Sequence, residues 1–461
     1  MLSLGRGEEA ASEWSTMRAF TKPFFLALML LTRLALASPA ETEAGMPAPG
    51  SGVRAPLTLE QCVALALENH PALRGATSDV EGARAGVRIA RASALPQVGL
   101  SGSYTQSKGT LGTSGGGASP EGYSAALSVH QLLFDSGRTP ALIRGAELEA
   151  GAALATHDQV EQVVVFGARQ SYFGVLAAEQ VLLARTQGQE LAALNLKAAQ
   201  ARYQEGIAPK ADVTKAEVEL ATAQLDAIRA QSGVHLAYAS LDDALGLPPM
   251  TRLAIAREVQ TPKEPPTLER LLAAAYRDRP ELERARDSVE AARAAVTVAA
   301  SATRPALFAT LGTDWMSSSA TTDSGWTAGI ALGFPLWDGG GTASHIRQTR
   351  AGVESARAAY DNVKQQIGLD VQQAYLNVVE ADQRVATAEK LVAQAEENYR
   401  IAQGRYAGGV GPMLDVVDAE TALTGARTSY AQARYDAQVT RAQLDLAVAH
   451  PFRGEGATRE K

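Results

Sequence analysis

The sequence predicts an elongated, internally duplicated chain that mixes long α-helices with four β-strands. Three observations carry that prediction. Arg202–Glu217 (RYQEGIAPKADVTKAE) recurs as Arg405–Glu420 (RYAGGVGPMLDVVDAE), agreeing at eight of sixteen positions at an offset of 203. An apolar or small seam with steps of 3 and 4 runs unbroken from Val353 to Tyr406. Between the helical patterns lie short stretches in which apolar and small or polar residues alternate with period 2. A fixed-period repeat fixes the architecture before any single element does.

From the start, residues 1–16 are polar, and Met17 begins a better leader. Arg18 and Lys22 precede the apolar run Phe24–Leu31 and the small-residue site Ala35-Leu36-Ala37. That order is a secretory signal peptide, so residues 1–37 are expected to be removed. Eight apolar residues fall far short of the roughly 20 that span a bilayer, and no cysteine follows the site to carry a lipid. The leader holds four bases and three acids, so its loss takes the net charge from −7 to −8. An acidic chain without a basic stripe excludes a nucleic-acid partner. The lone cysteine, Cys62, lies in the apolar run LTLEQCVALAL and reads as a small buried hydrophobe. After the leader no run of 18 apolar residues occurs, so no transmembrane helix is expected.

The duplication extends beyond the sixteen-residue stretch. Residues 57–74 (LTLEQCVALALENHPALR) match residues 266–283 (PTLERLLAAAYRDRPELE) at an offset of 209. Thr58 and Thr267 are candidate N-caps of a short helix in each copy. Pro71 and Pro280, two or three residues into the next helix, mark a corner. The prolines of Leu247-Pro248-Pro249 and Glu264-Pro265-Pro266 form the linker between halves. The offset drops from 209 at Pro96/Pro305 to 203 at Phe134/Trp337, so the six-residue difference lies between those marks.

That interval reads as two β-hairpins. Trp326, Ala328, Ile330, Leu332, Phe334 and Leu336 face one way, and Thr327, Gly329, Ala331, Gly333 and Pro335 the other. The counterpart sets Tyr123, Ala125, Leu127, Val129 and Leu133 against Ser124, Ala126, Ser128 and His130. The preceding strands set Val98, Leu100 and Tyr104 against Gly99, Ser101 and Ser103, and Leu307, Leu311 and Trp315 against Thr310, Gly312 and Asp314. Loops at 107–122 and 317–325 close them. Apolar-out, small-or-polar-in alternation with aromatics near the strand ends is the pattern of a transmembrane barrel. A half-buried sheet in a soluble domain shows the same alternation, but four strands flanked by helices of about 65 residues have no partner sheet.

In the last long helix, alanine takes nearly every second seam position. Small seam residues permit close helix approach on more than one face. A helix over 342–407 would extend about 100 Å at 1.5 Å per residue. Such a rod cannot bury itself in one globule and must line up with others. The two sixteen-residue copies join long helices through Gly-x-x-Pro, glycine ending one helix and proline at the first position of the next. Each is therefore the tip of a helical hairpin.

The tandem L-T-L-type segments, Leu133-Phe134-Asp135-Ser136-Gly137-Arg138 with its twin Leu336-Trp337-Asp338-Gly339-Gly340, and the two R-Y-x-x-G tips closely resemble TolC-type outer-membrane efflux proteins over residues 57–449. The resemblance implies a homotrimer in outer-membrane lipid. Each chain would give four strands to one 12-stranded transmembrane β-barrel and long α-helices to a periplasmic α-barrel. Three chains give twelve strands and leave a bore, whereas eight strands fill with side chains. The organisation expected is a signal peptide (1–37), periplasmic helices of repeat 1 (38–94), a β-hairpin (95–134) and a long helical hairpin (135–250). Linker and periplasmic helices of repeat 2 (251–303), a second β-hairpin (304–338), a second helical hairpin (339–449) and a tail (450–461) follow.

The resemblance also implies the function: a passive exit duct of a tripartite efflux or type I secretion complex, docking a periplasmic adaptor and receiving substrate from an inner-membrane transporter. It implies adaptor-docking tips at Gly206, Ile207 and Ala208 and at Gly409, Val410 and Gly411. It implies a periplasmic gate of Asp415, Asp418, Tyr406 and Asp212. Two departures stand out: Gly411 where well-known members carry an arginine of the lock, and Ala211 where they carry a threonine. Without the resemblance, Asp212 and Asp415 read equally well as first-turn carboxylates complementing the helix dipole. Asp418 lies one turn beyond Asp415, where like charges cost roughly 0.2–0.5 kcal/mol.

No enzyme is expected. His70, His130, His157, His235, His345 and His450 show no i,i+4 pair and no cysteine companion, so no metal-ligand set or cofactor is expected. There is no G-x-S-x-G elbow, since Gly112–Gly116 matches the spacing only within a hairpin loop, and no Walker loop; the runs Gly115–Gly117 and Gly339–Gly341 fall at that loop and at a strand-to-helix break. The alternative reading, a coiled-coil envelope structural or adaptor protein without a pore, would have no need of the four alternating strands.

Overall fold

The computed structural model describes residues 56–106, 121–251, 253–257, 266–318 and 322–449. The expected signal peptide, the tail, the tip of the first β-hairpin and most of the linker lie outside the described residues. The first half comprises α1 (Leu59–Asn69), α2 (Pro71–Ala92), β1 (Gln97–Gln106), β2 (Glu121–Phe134), α3 (Arg138–Gln204) and α4 (Lys210–Ala244). The second repeats the order with α5 (Leu268–Asp278), α6 (Pro280–Ser301), β3 (Ala306–Ser318), β4 (Thr322–Gly333), α7 (Gly341–Ala407) and α8 (Met413–Val448).

The twin helices start and stop in step. Both α3 and α7 have 67 residues, and both begin behind a left-handed glycine, Gly137 (φ 89°) or Gly340 (φ 86°). Asp135 and Asp338 bind the backbone N–H groups that open these helices, at 2.5 Å from Thr139 and 2.6 Å from Thr342. Thr58 closes a capping box with Gln61, satisfying two orphan donors at once. Thr267 sits at the matching N-cap without a side-chain bond. Pro71 and Pro280 are the first residues of their helices, not the second or third. There the missing N–H costs nothing.

One antiparallel sheet contains all four strands in the order β1-β2-β3-β4, with β2 and β3 joining the hairpins. Its register puts Leu100 opposite Leu127, Ala125 opposite Trp315 and Thr313 opposite Trp326, so one face is apolar across four strands. Ser103 faces Ser124, Asp314 faces Ala126 and Thr327 faces Gly312 on the other face. The apolar side chains are bare: Val98 is 68 % exposed, Ile330 71 % and Trp326 76 %. Tyr104 and Tyr123 stack with ring centroids 5.0 Å apart near the loop end. Two strand limits differ from the sequence reading. Phe334–Trp337 lies beyond β4, because Pro335 cannot donate to a ladder. The strands also run into the supposed 317–325 loop, with Ser317 paired to Thr322.

In α7 every buried residue, from Val353 through Ile367, Val371 and Ala381 to Tyr406, belongs to the seam read from the sequence. Two equivalent cores hold the short helices against the long ones. Cys62, Ala66, Val164, Ala168 and Leu241 make one. Their repeat partners Leu271, Ala275, Ile367, Val371 and Leu444 make the other. A third cluster, around Met413, Val416 and Leu423, sits behind the hairpin tips. Among the described residues, no helix is long and apolar enough to cross a membrane.

Candidate functional site: the paired hairpin tips

Each tip is a complete helix stop of one kind. Ile207 N–H donates to the Arg202 carbonyl (2.9 Å) and Gly206 N–H to the Tyr203 carbonyl (3.0 Å). Val410 to Arg405 (2.9 Å) and Gly409 to Tyr406 (3.0 Å) repeat the pattern. These are the two crossed bonds of a Schellman motif, which requires a left-handed residue after the cap. Gly206 and Gly409 supply it, both at φ 72°. The sequence placed Pro209 and Pro412 at the first helical position, but they are N-caps in extended conformation (ψ 155° and 157°). Ile207 and Val410 project from the tips, 60 % and 72 % exposed, beside half-buried Ala208 and Gly411.

Behind the tips the two hairpins touch through α3 and α8. The Tyr406 hydroxyl donates to Asp212 Oδ2 at 3.4 Å, joining α7 to α4. Burial raises the Tyr406 phenol above its ordinary range, with the Asp212 charge adding to the shift and Arg202 opposing it. The Arg202 guanidinium lies 4.9 Å from the Tyr406 ring centroid and donates to the Ala407 carbonyl at 2.9 Å. Arg202 therefore ties the first tip to the second, a role that its presence in the repeated stretch could have flagged. Asp415 meets Arg405 at 3.7 Å across its own hairpin, a long, half-exposed pair of small energy. Asp418 is exposed on α8 and shares no ion pair among the described residues. So the structure joins Tyr406 to Asp212, and it ties Asp415 to Arg405 rather than to the other three. A Cβ at Gly411 would come within 3.1 Å of Arg405 Cβ, so a larger residue there would have to displace that arginine.

Sequence reasoning missed a buried polar cluster just beyond Asp418 on α8. Asn195 Nδ2 donates to Glu420 Oε2 at 2.5 Å, and the Tyr399 hydroxyl donates to Asn195 Oδ1 at 3.3 Å. Glu420 is 2 % exposed. Burial pushes its carboxyl up to about 7; the Asn195 bond opposes that shift and nearby Glu219 reinforces it. The signal was a glutamate interrupting the apolar run Val416, Val417, Leu423. Far from the tips, His157, Asp158 and Glu161 bring ligand-type atoms within 4.8 Å of one another on α3. The scatter of histidines along the sequence gave no hint of this half-buried cluster, and one helical turn of side chains is an ordinary cause of it.

The family model described as outer membrane efflux protein matches residues 62–247 and 271–450, one segment for each half of the duplication. Protein CyaE of Bordetella pertussis is 27% identical over 401 residues, spanning 85% of this chain and 84% of CyaE. The outer membrane protein TolC of Escherichia coli is 25% identical over 397 residues, spanning 82% of this chain and 80% of TolC. The crystal structure of the outer membrane protein VceC of Vibrio cholerae superposes with a TM-score of 0.74 at 20% identity, covering 86% of this chain and 97% of VceC.

Proposed function

The chain belongs to the outer membrane efflux protein family, and from that premise we propose that three copies form the exit duct of a tripartite efflux or type I secretion complex. It is an outer-membrane channel protein that extends into the periplasm. The observation that carries the trimeric reading is the open four-stranded sheet, whose apolar face is bare and whose strands β1 and β4 each leave their outer edge unpaired among the described residues. In lipid, unpaired backbone groups cost several kcal/mol each, so only a closed barrel is tolerated. Twelve strands from three chains close it with a bore.

The helices continue that bore as a periplasmic tunnel narrowed at the hairpin tips. Tyr406, Asp212, Asp415 and Asp418 form its gate, and residues 206–208 and 409–411 dock a periplasmic adaptor that links the duct to an inner-membrane transporter. Nothing in this mechanism calls for bond making: the duct supplies a water-filled path, and the partners supply energy and substrate. Purification from outer membranes in detergent, with the mass read by light scattering, should give a trimer. The same material in a planar bilayer should conduct ions. A water-soluble monomer would end the barrel reading in favour of a coiled-coil envelope protein without a pore.

A further inference from the structure

The long helices carry different charge at their two ends. At the hairpin tips, residues 195–204, 210–219, 398–407 and 413–422 hold six cations and six acids, lysine among them. At the sheet end, the last ten residues of α2 and α6 and the first ten of α3 and α7 hold eight arginines, one glutamate and no lysine. Arg304 adds a ninth between α6 and β3. In a chain whose net charge is −7, that is a concentrated reversal of sign.

Six of these arginines crowd the junction itself. Arg88, Arg91, Arg138, Arg144, Arg304 and Arg347 stand within six residues of a helix end, about 9 Å at 1.5 Å per residue, and all are exposed. The acids equally close, Asp135 and Asp338, are spent on the backbone N–H groups that open α3 and α7. Arg91 meets Glu147 at 2.7 Å and Arg347 donates to Ser344 Oγ at 3.1 Å. Arg144 is near enough to Asp287 on α6 to oppose the rise that burial gives its carboxyl. Arg88, Arg138, Arg144 and Arg304 share no ion pair among the described residues. The duplication keeps the charge but not the pairing: Glu147 and Arg91 correspond to Arg350 and Ala300 in the second half. On the sheet side of the junction, Phe134, Leu336 and Trp337 are bare, Trp337 being 89 % exposed. Exposed aromatics at strand ends mark the rim of the hydrocarbon layer. Beyond that rim a bilayer has about 5–8 Å of headgroup on each side, the depth at which the six arginines lie.

We propose that this arginine belt binds the phosphate groups of anionic phospholipids, of the phosphatidylglycerol class, in the periplasmic leaflet of the outer membrane. Arg138, Arg144 and Arg304 are its central ligands. A guanidinium presents a planar fork of donors that grips two oxygens of one phosphate, whereas a lysine offers only a point charge, which suits a belt made of arginine alone. A surface that merely stays solvated needs no such choice, and the tips, with equal numbers of both signs, show that pattern in the same chain. The inference rests on the closed barrel proposed above, because the barrel sets the sheet end of the helices at the membrane surface.

Liposomes holding the mature protein test this with spin-labelled phosphatidylglycerol and phosphatidylcholine, the fraction of each label slowed at the protein giving their relative association. At low salt phosphatidylglycerol should be favoured about five-fold. Added sodium chloride should erase most of that preference, because exposed charges are screened; this arm needs no substitution. The variant Arg138→Gln/Arg144→Gln/Arg304→Gln should bring phosphatidylglycerol down to the level of phosphatidylcholine, with the trimer's mass by light scattering unchanged. These three are chosen because α3 and α6 each have a helix of the same chain on both sides. A preference that persists in high salt or in the triple variant overturns the belt. Inorganic phosphate should displace no more labelled lipid than chloride does at equal ionic strength; stronger displacement would assign the arginines to free phosphate instead. In a planar bilayer the triple variant should keep the parent's ion selectivity. A shift toward cations with the lipid preference intact would put these arginines inside the bore. A trimer in liposomes that slows both lipids equally overturns this inference and leaves the exit duct standing, whereas a protein that enters no liposome as a trimer overturns both.

Discussion

The two hairpin tips share residues, turn geometry and helix lengths, yet they differ in what covers them. Tyr406 is 7 % exposed and bonded to Asp212, while its twin Tyr203 is 46 % exposed. Glu420 is buried against Asn195, while Glu217 is exposed. Nothing local explains the difference, since both glycines stand at φ 72° and both helices start behind an extended proline. The cause is order in the chain. Tyr406 and Glu420 of the second tip lie against Asp212 and Asn195 of the first hairpin, whereas Tyr203 and Glu217 of the first tip stay exposed in the single chain.

The largest expected effect separates what the tips do from how they fold. Gly206→Trp or Gly409→Trp should abolish export in cells while leaving trimer yield near that of Gly206→Ala and Gly409→Ala. Both substitutions at one site carry the same left-handed backbone cost of roughly 1–2 kcal/mol, so only the projecting bulk differs. A Cβ at Gly206 meets nothing within 4 Å, so an indole there points outward, toward any docked partner. Export that survived both tryptophans would place adaptor docking elsewhere. If the alanine variants lost the trimer as well, the glycines would be helix stops alone.

The next effect concerns charge at the mouth. In a trimer, Asp415 and Asp418 bring two carboxylates per chain, which is six about the opening. A passage lined by one sign of charge concentrates counter-ions. In a planar bilayer, Asp418→Ala should reduce cation selectivity and block by trivalent cations, and Asp415→Ala/Asp418→Ala should reduce both further. Stability should change little, because Asp418→Ala removes a like-charge neighbour worth only about 0.2–0.5 kcal/mol. Unchanged selectivity in the double variant would remove these residues from the passage.

How much of this was legible follows from which contacts are local. The tips were readable because Gly-x-x-Pro specifies its own turn. The α7 seam was readable because its spacing registers one helix against its neighbours whichever they are. Strand faces were readable from alternation, but strand ends were not. Thr322–Gly325 reads as loop by residue type and is held as strand by pairing with Asp314–Ser317. Alternation also continues through Phe334–Trp337 after the ladder has stopped. The Asn195–Glu420 pair joins residues 225 apart. Its twin pair has the same residue types and stays exposed in the chain, so composition alone cannot tell the two apart. Arg202 and Arg405 diverge likewise, one reaching the other tip and one its own hairpin.

The smallest effect is the most diagnostic of the comparison. The Glu420 carboxyl is raised from 4.5 to about 7, chiefly by burial. Between those values the folded protein keeps a proton that the unfolded chain has released, so stability falls as pH rises from about 4.5 to about 7 and is level above. Glu420→Gln keeps the shape and can accept from Asn195, but it has no proton to lose. The unfolding temperature of the wild type should therefore fall relative to Glu420→Gln across that window, by a few degrees at most, with the gap constant at higher pH. Parallel curves for Glu420→Gln and the wild type would mean that water reaches the internal pair.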